Sequence, residues 1–266
     1  MRHAKVAEAR VVEYAPKGLI GLLTPQANTT VEPEFSILMP AGYAFLNARM
    51  VSDKATIEER LDDYFVGMAE TVSQFANAPI GAYAFACTGA SYLQGVEHET
   101  EAVKSIEDAR GRPFITAGRA VADALRVLSA TRIGLISPYP AGLTEASVGY
   151  WRAHGFEVVT VASAYSAGDS FHPIYSLSAA SARSLLGEAS GADVDALVLL
   201  GTGMPTLGPI LSQAGNDRLL TLSCMSALAW RSLAIFDPCL MEADGARDYL
   251  RGRVWCSRYE ATQIKE

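Results

Sequence analysis

Along the chain, short runs of Val, Ile, Leu and Ala that end in small residues alternate with longer stretches whose apolar positions recur at helical spacing. Runs of the first kind suit strands buried on both faces of a parallel sheet, and stretches of the second kind supply the crossover helices that cover it. The pattern predicts strands over Leu19–Leu23, Tyr43–Met50, Ala82–Ala86, Pro113–Thr116, Arg132–Ile136, Glu157–Val161, Ala196–Leu200 and Leu219–Leu222. Between them it predicts helices over Ile57–Asn77, Val96–Ala109, Ala120–Leu128, Ala146–Ala153, Ser178–Ser190 and Ala227–Leu233. The expected fold class is α/β.

The chain also repeats itself. Ile20-Gly-Leu-Leu-Thr-Pro25 returns as Ile133-Gly-Leu-Ile-Ser-Pro138, an offset of 113 residues. Tyr83–Gly95 (YAFACTGASYLQG) is answered by Leu197–Pro209 (LVLLGTGMPTLGP), which sets Gly201 opposite Cys87 at an offset of 114. A looser pair, Phe114–Arg119 and Leu219–Cys224, follows in the same order. Matched strand-loop-helix units in one order predict two pseudo-symmetric, Rossmann-like parallel-sheet halves related by duplication. The first would comprise 17–128 with a C-terminal return, 224–266, and the second 129–223. Ligands of open parallel sheets bind beyond the carboxyl ends of the strands. The loops Thr24–Thr30, Cys87–Tyr92, Ser137–Gly142 and Gly201–Thr206 are therefore expected to line an active site in the cleft between the halves.

With 266 residues, 50% apolar and 19% charged, the chain has the composition of a packed globular protein, not of a disordered or collagen-like one. No apolar run reaches the ~20 residues that span a bilayer. The charged stretch MRHAKVAEARVVEYAPKG lacks the apolar centre of a secretory signal, so a cytoplasmic protein with no membrane partner is expected. The four cysteines lie far apart without a C-x-x-C pair, which argues against a zinc site and against structural disulfides. A net charge of −7 opposes binding to nucleic acid. The nearest approach to a basic run, Arg251 with Arg253, reads as a solvated tail.

Cys87 follows a strand directly and precedes Thr88-Gly89-Ala90-Ser91 at a helix entry. Backbone N–H groups there favour a thiolate and make a cysteine reactive. A small residue packing a strand end would look the same in sequence. Cys224 has a similar setting but reads as packing, and Cys239 and Cys256 carry no signal. Asn28, Thr29 and Thr30 follow Pro25 at another strand end, where they could bind a carboxylate; taken alone, helix capping is the simpler reading. Tyr139, held between Pro138 and Pro140, is either an oxyanion donor in a stiff loop or a surface turn residue. Gly201 and Gly203 form no nucleotide fingerprint. His3, His98, His154 and His172 show no metal-ligand spacing, and only His172, before Pro173, is a loop candidate. Glu32 and Glu34 flank Pro33 early in a helix, where carboxylates favour the dipole whatever the function.

Four segments together carry a resemblance: GLLTPQANTTVEPEF (Gly21–Phe35), CTGASYLQG (Cys87–Gly95), IGLISPY (Ile133–Tyr139) and GTGMPTL (Gly201–Leu207). In this order and spacing they resemble the aspartate/glutamate racemase superfamily, in its maleate isomerase and arylmalonate decarboxylase branch. The likeness runs from about Gly18 to Trp230. It implies a cofactor-independent enzyme acting on a small carboxylate, a monomer or small homo-oligomer, with two α/β halves and a catalytic cysteine at Cys87. The second-half cysteine of the family should stand at Gly201, and its absence argues against racemisation with one thiol per face.

Two chemistries remain with a single thiol. In the first, similar to arylmalonate decarboxylases, a substituted malonate loses carbon dioxide and Cys87 protonates the enediolate. Thr88, Tyr139 and backbone N–H groups near Gly89 and Thr202 would hold the oxyanion. Those enzymes usually keep the second-half cysteine, so the product hand would be reversed. In the second, similar to maleate isomerase, a Cys87 thiolate adds to a cis double bond while Asn28 binds a carboxylate. The decarboxylase is the reading adopted, with the isomerase as its alternative and a catalytically retired carboxylate-binding protein as the third; an enzyme should show a depressed Cys87 pKa. Substrate contacts are further expected from Pro25, Gly201, Gly203 and Met204, and pocket shape from Tyr43, Tyr92, Met204 and Tyr175. Arg119 departs from the family pattern and would either hold a second carboxylate or pair with Asp123 one turn on.

Overall fold

The expected strands form, and they divide into two four-stranded sheets. β1 (Gly18–Pro25), β2 (Tyr43–Met50), β3 (Ala82–Phe85) and β4 (Phe114–Thr116) are ordered β2-β1-β3-β4. β5 (Arg132–Ser137), β6 (Glu157–Ser163), β7 (Ala196–Leu199) and β8 (Leu220–Ser223) are ordered β6-β5-β7-β8. All pairings within the sheets are parallel, and the two orders are the same when each sheet is counted from its own first strand. The structure, a computed structural model, describes residues 12–163, 165, 173–216 and 218–263. His3, His172 and most of the charged N-terminal stretch lie outside the described residues.

Burial explains why the strands were legible. Ile20, Leu22, Leu23 and the whole of β7 are inaccessible to solvent, as central parallel strands covered on both faces must be. The edge strand β6 instead alternates exposed and half-buried residues. In the first sheet Leu23 pairs with Phe85, and in the second Ile136 pairs with Leu199. The central strands therefore end level, and the segments after them emerge side by side.

The helices are α1 (Val31–Leu38), α2 (Ile57–Val66), α3 (Met68–Ser73), α4 (Thr88–Arg110), α5 (Ala117–Val127), α6 (Ala141–Ala153), α7 (Ala179–Ala189), α8 (Leu207–Ser212), α9 (Cys224–Leu233), α10 (Ala243–Leu250) and α11 (Cys256–Thr262). The single helix expected over Ile57–Asn77 is broken at Gly67, which ends α2 and begins α3. The segment expected as a loop after Cys87 is helical from Thr88 onward. It joins the stretch expected from Val96 across a kink at Gly95, whose φ of 76° suits a residue without Cβ. The short α8, α10 and α11 carry too few turns to show a period in sequence. α9 packs on α1 and α5 and also meets β3 and β4 of the first sheet and β8 of the second. Among the described residues no helix is long and apolar enough to cross a membrane.

Candidate active site

Segments after the central strands converge on one small cavity of about 20 Å³. Pro25 and Asn28 reach it from the end of β1, and Cys87, Thr88 and Gly89 from the junction of β3 and α4. Tyr139 comes from the segment after β5, and Thr202 and Gly203 from the segment after β7. The wall is completed by Ile57, Leu61 and Tyr64 of α2 and by Ile174 and Tyr175. Of these five, only Tyr175 was anticipated, because nothing in a helix period tells which neighbour a side chain will meet.

Cys87 is the N-cap residue of α4 and is 4% exposed. The expected depression of its pKa is not found: burial pushes the thiol up to about 12, and one backbone N–H, from Ala90, only partly opposes this. Removing a thiolate from water costs more than a helix terminus returns. Next to it, Thr88 Oγ1 and Tyr139 Oη are hydrogen-bonded at 2.9 Å. Tyr139 is buried, so it is not a surface turn residue, and burial raises its phenol well above the usual range.

Asn28 works as a cap and as a tie. Its Oδ1 accepts from the N–H groups of Thr30 (2.9 Å) and Val31 (3.0 Å) at the start of α1. Its Nδ2 donates to the Thr202 carbonyl at 3.2 Å. Thr30 Oγ1 donates to the Gly203 carbonyl (2.7 Å) and Thr202 Oγ1 to that of Ala86 (2.8 Å), so three side chains lace the segments from the two sheets together. Arg49, which sequence reasoning missed, donates to the carbonyls of Pro25 (3.1 Å) and Asn28 (2.9 Å) and pairs with Glu32.

Several expected contacts are not made. Gly201 has a φ of 82°, and a Cβ there would stand 2.9 Å from Ile174 Cδ1, 3.0 Å from Pro138 Cγ and 3.2 Å from Tyr139 Oη. Gly201 is not among the residues that line the cavity; it packs behind Ile174 and Tyr139, which are. Met204 is fully buried and does not line the cavity, since a strand-end position does not set side-chain direction. Arg119 does not line it either; its charge acts on Tyr150 and His154 instead. Nor does it take the expected partner, for Asp123 pairs with Arg231 (2.9 Å) and Arg126 (3.6 Å). Tyr43 packs on Phe236, and Tyr92 lies behind Tyr139 with ring centroids 6.1 Å apart.

Cys224 is buried as expected, but its surroundings are polar. The Tyr92 hydroxyl lies 3.9 Å from its Sγ, and the Gly201 N–H and the Thr88 hydroxyl also hydrogen-bond to it. Burial still pushes this thiol up to about 11. Elsewhere, Arg251 is buried and donates to the Asn216 carbonyl at 3.1 Å, which corrects the solvated-tail reading, whereas Arg253 is exposed and pairs with Asp248. Glu34 is buried too and serves α8 in place of its own helix dipole, accepting from the N–H of Leu207 at 3.2 Å.

Comparison with known proteins follows the same lines. The sequence model of the arylmalonate decarboxylase family matches residues 20–239. Maleate isomerase of Pseudomonas putida is 29% identical over 151 residues, covering 52% of this chain and 60% of that protein. Maleate isomerase of Nocardia farcinica is 30% identical over 148 residues, covering 52% and 59%. These matches thus span under two thirds of the curated relatives' length. Among solved structures, a maleate isomerase from Pseudomonas putida superposes with a TM-score of 0.75 at 23% identity, covering 88% of this chain and 98% of that one. An arylmalonate decarboxylase superposes with a TM-score of 0.69 at 17% identity, covering 82% and 92%. Both likenesses show the fold.

Proposed function

Because the chain belongs to the arylmalonate decarboxylase family, we propose that it is a cofactor-independent decarboxylase of a substituted malonate in which Cys87 protonates the enediolate. The observation that carries this reading is the state of Cys87. Among the described residues that line the cavity it is the one thiol, and burial holds it protonated beside the Thr88–Tyr139 pair. The lost solvation of the thiolate keeps Cys87 in its protonated form at neutral pH. The depressed pKa expected of an enzyme is the mark of a cysteine nucleophile and is not met; a thiol that burial holds protonated suits the role of acid instead.

In this reading one carboxylate of the malonate accepts from Tyr139, Thr88 and the N–H groups at the start of α4. The other faces the apolar side chains of Ile57, Leu61 and Ile174, where loss of solvation favours its departure as neutral carbon dioxide. The bond from Cα to that carboxyl breaks, and its electron pair is taken up as the enediolate, whose oxygens the same donors hold. The Cys87 Sγ–H proton passes to Cα, and solvent returns a proton to the thiolate. Because the acid comes from the segment after β3, and Gly201 stands where family members usually carry it, the product hand is reversed relative to theirs.

A maleate isomerase reading has its own support in the curated relatives over half the chain and in Asn28, which borders the cavity. Proton NMR in D₂O separates the readings. Wild type and Cys87→Ala are incubated with methyl-vinyl-malonate, methyl-phenyl-malonate and maleate. Loss of a malonate with one deuterium placed in one hand, slowed by ~10² to 10⁴-fold in the variant, is expected. Fumarate formed from maleate would instead establish the isomerase, and binding without turnover of any of the three would leave a carboxylate-binding protein.

A further inference from the structure

Two cavities of the molecule share a wall. Tyr175 lines the small cavity at Cys87 and also a second one of about 330 Å³, which is bordered by Glu34, Pro205 and Tyr259. Its ring is backed by Gly203: a Cβ on that glycine would stand 2.5 Å from Tyr175 Cε1 and 2.7 Å from Cδ1. The preceding residue, Ile174, is wedged in the same way against Gly201, where a Cβ would come within 2.9 Å of its Cδ1. Two glycines in one segment thus seat two neighbouring side chains, and Tyr175 lines the small cavity together with Cys87 and Tyr64.

Volume sets the consequence. The cavity at Cys87 holds about 20 Å³, little more than a water molecule, whereas a benzene ring needs on the order of 150 Å³. Any substrate has to widen this space, and empty volume lies behind Tyr175; a further cavity of about 560 Å³ lies beyond Tyr139, whose hydroxyl is tied to Thr88 at 2.9 Å. We propose that Tyr175 is a partition between the two cavities and determines specificity by size, favouring malonates with a small unsaturated substituent, such as vinyl, over those with an aryl ring. Unsaturation is required because it spreads the charge of the enediolate; smallness is required by the ring of Tyr175. This inference rests on the decarboxylase reading for the substrate, but the partition itself does not depend on turnover.

The test therefore uses product acids, which bind without reacting. Isothermal titration calorimetry compares 2-methylbut-3-enoate with 2-phenylpropionate on wild type, Tyr175→Phe, Tyr175→Ala and Tyr175→Leu, the last in case the alanine variant does not fold. Wild type is expected to bind the alkenyl acid at least tenfold more tightly than the phenyl acid. Tyr175→Phe should keep that ratio, since the ring and not the hydroxyl is the obstacle. Tyr175→Ala and Tyr175→Leu should bring it to one or invert it. A ratio that stays within twofold of wild type in both small variants overturns the partition, as does equal binding of the two acids by wild type. If the ratio shifts as expected while no malonate is turned over, the decarboxylase reading fails and the partition stands.

Discussion

Replacing Glu34 by Gln should make the protein more stable at alkaline pH and leave it nearly unchanged at acid pH. Glu34 sits in α1 with its side chain shut away from water, and its Oε1 accepts from the N–H of Thr206 at 2.5 Å and of Leu207 at 3.2 Å. Its Oε2 accepts from Thr206 Oγ1 at 3.0 Å. These bonds lower its pKa, but desolvation outweighs them and lifts it from 4.5 to about 7. A carboxyl whose folded pKa lies above its unfolded one binds its proton more tightly when folded. Its contribution to stability is therefore complete below about pH 4.5 and is lost as pH rises through about 7, by about 3 kcal/mol in all. Gln keeps an acceptor for the two N–H groups and never ionises, and the Thr206 hydroxyl can turn to accept from its amide. The gap in unfolding free energy between Glu34→Gln and wild type should widen in the variant's favour by about 2 to 3 kcal/mol from pH 5 to pH 8. Urea unfolding at four pH values and constant ionic strength measures it. A gap that stays constant within ~0.5 kcal/mol over that range would mean that Glu34 titrates normally, and the argument from burial would fail.

Gly201→Ala should destabilise the protein by about 2 to 3 kcal/mol, combining ~1 to 2 kcal/mol for a left-handed backbone with crowding against Ile174 and Pro138. A Tm lower by several degrees in thermal unfolding is expected, and an unchanged Tm would contradict it. Iodoacetamide at pH 7.5 should label the exposed Cys239 well before the buried Cys87 and Cys224. Peptide mass spectrometry reads the order, and Cys87 modified as fast as Cys239 would show that its thiol is neither buried nor held protonated.

The parts of this fold that were legible in the amino-acid sequence share a physical cause. Strands buried on both faces favour apolar residues, so β1, β3, β5 and β7 announce themselves through the short runs Leu19–Leu23, Ala82–Ala86, Ile133–Ile136 and Ala196–Leu200, in which only glycine interrupts the apolar side chains. Because parallel strands present their carboxyl ends together, the segments that border the cavity could be named before any contact was known. Pro25, Asn28, Cys87, Thr88, Gly89, Tyr139, Thr202 and Gly203 all lie along it.

What only the tertiary structure decided depends on direction and on solvent, neither of which is written in a local pattern. Arg119 and Met204 stand at suitable places in the chain and point elsewhere, while Ile57, Leu61 and Ile174 reach the cavity from elements that no motif marks. Glu34 reads as a helix-dipole acid of α1 and in fact caps α8, some 170 residues along the chain. Cys87 shows the point most sharply. Its place at a helix entry, visible in sequence, predicts a stabilised thiolate, but the walls of Leu61, Tyr64 and Ile174 that fold around it remove water, and the lost solvation of a charge exceeds what one backbone N–H restores. Position along the chain determined which strand-end segments meet at the site; packing determined which side chains enter it and the protonation state of the thiol among them.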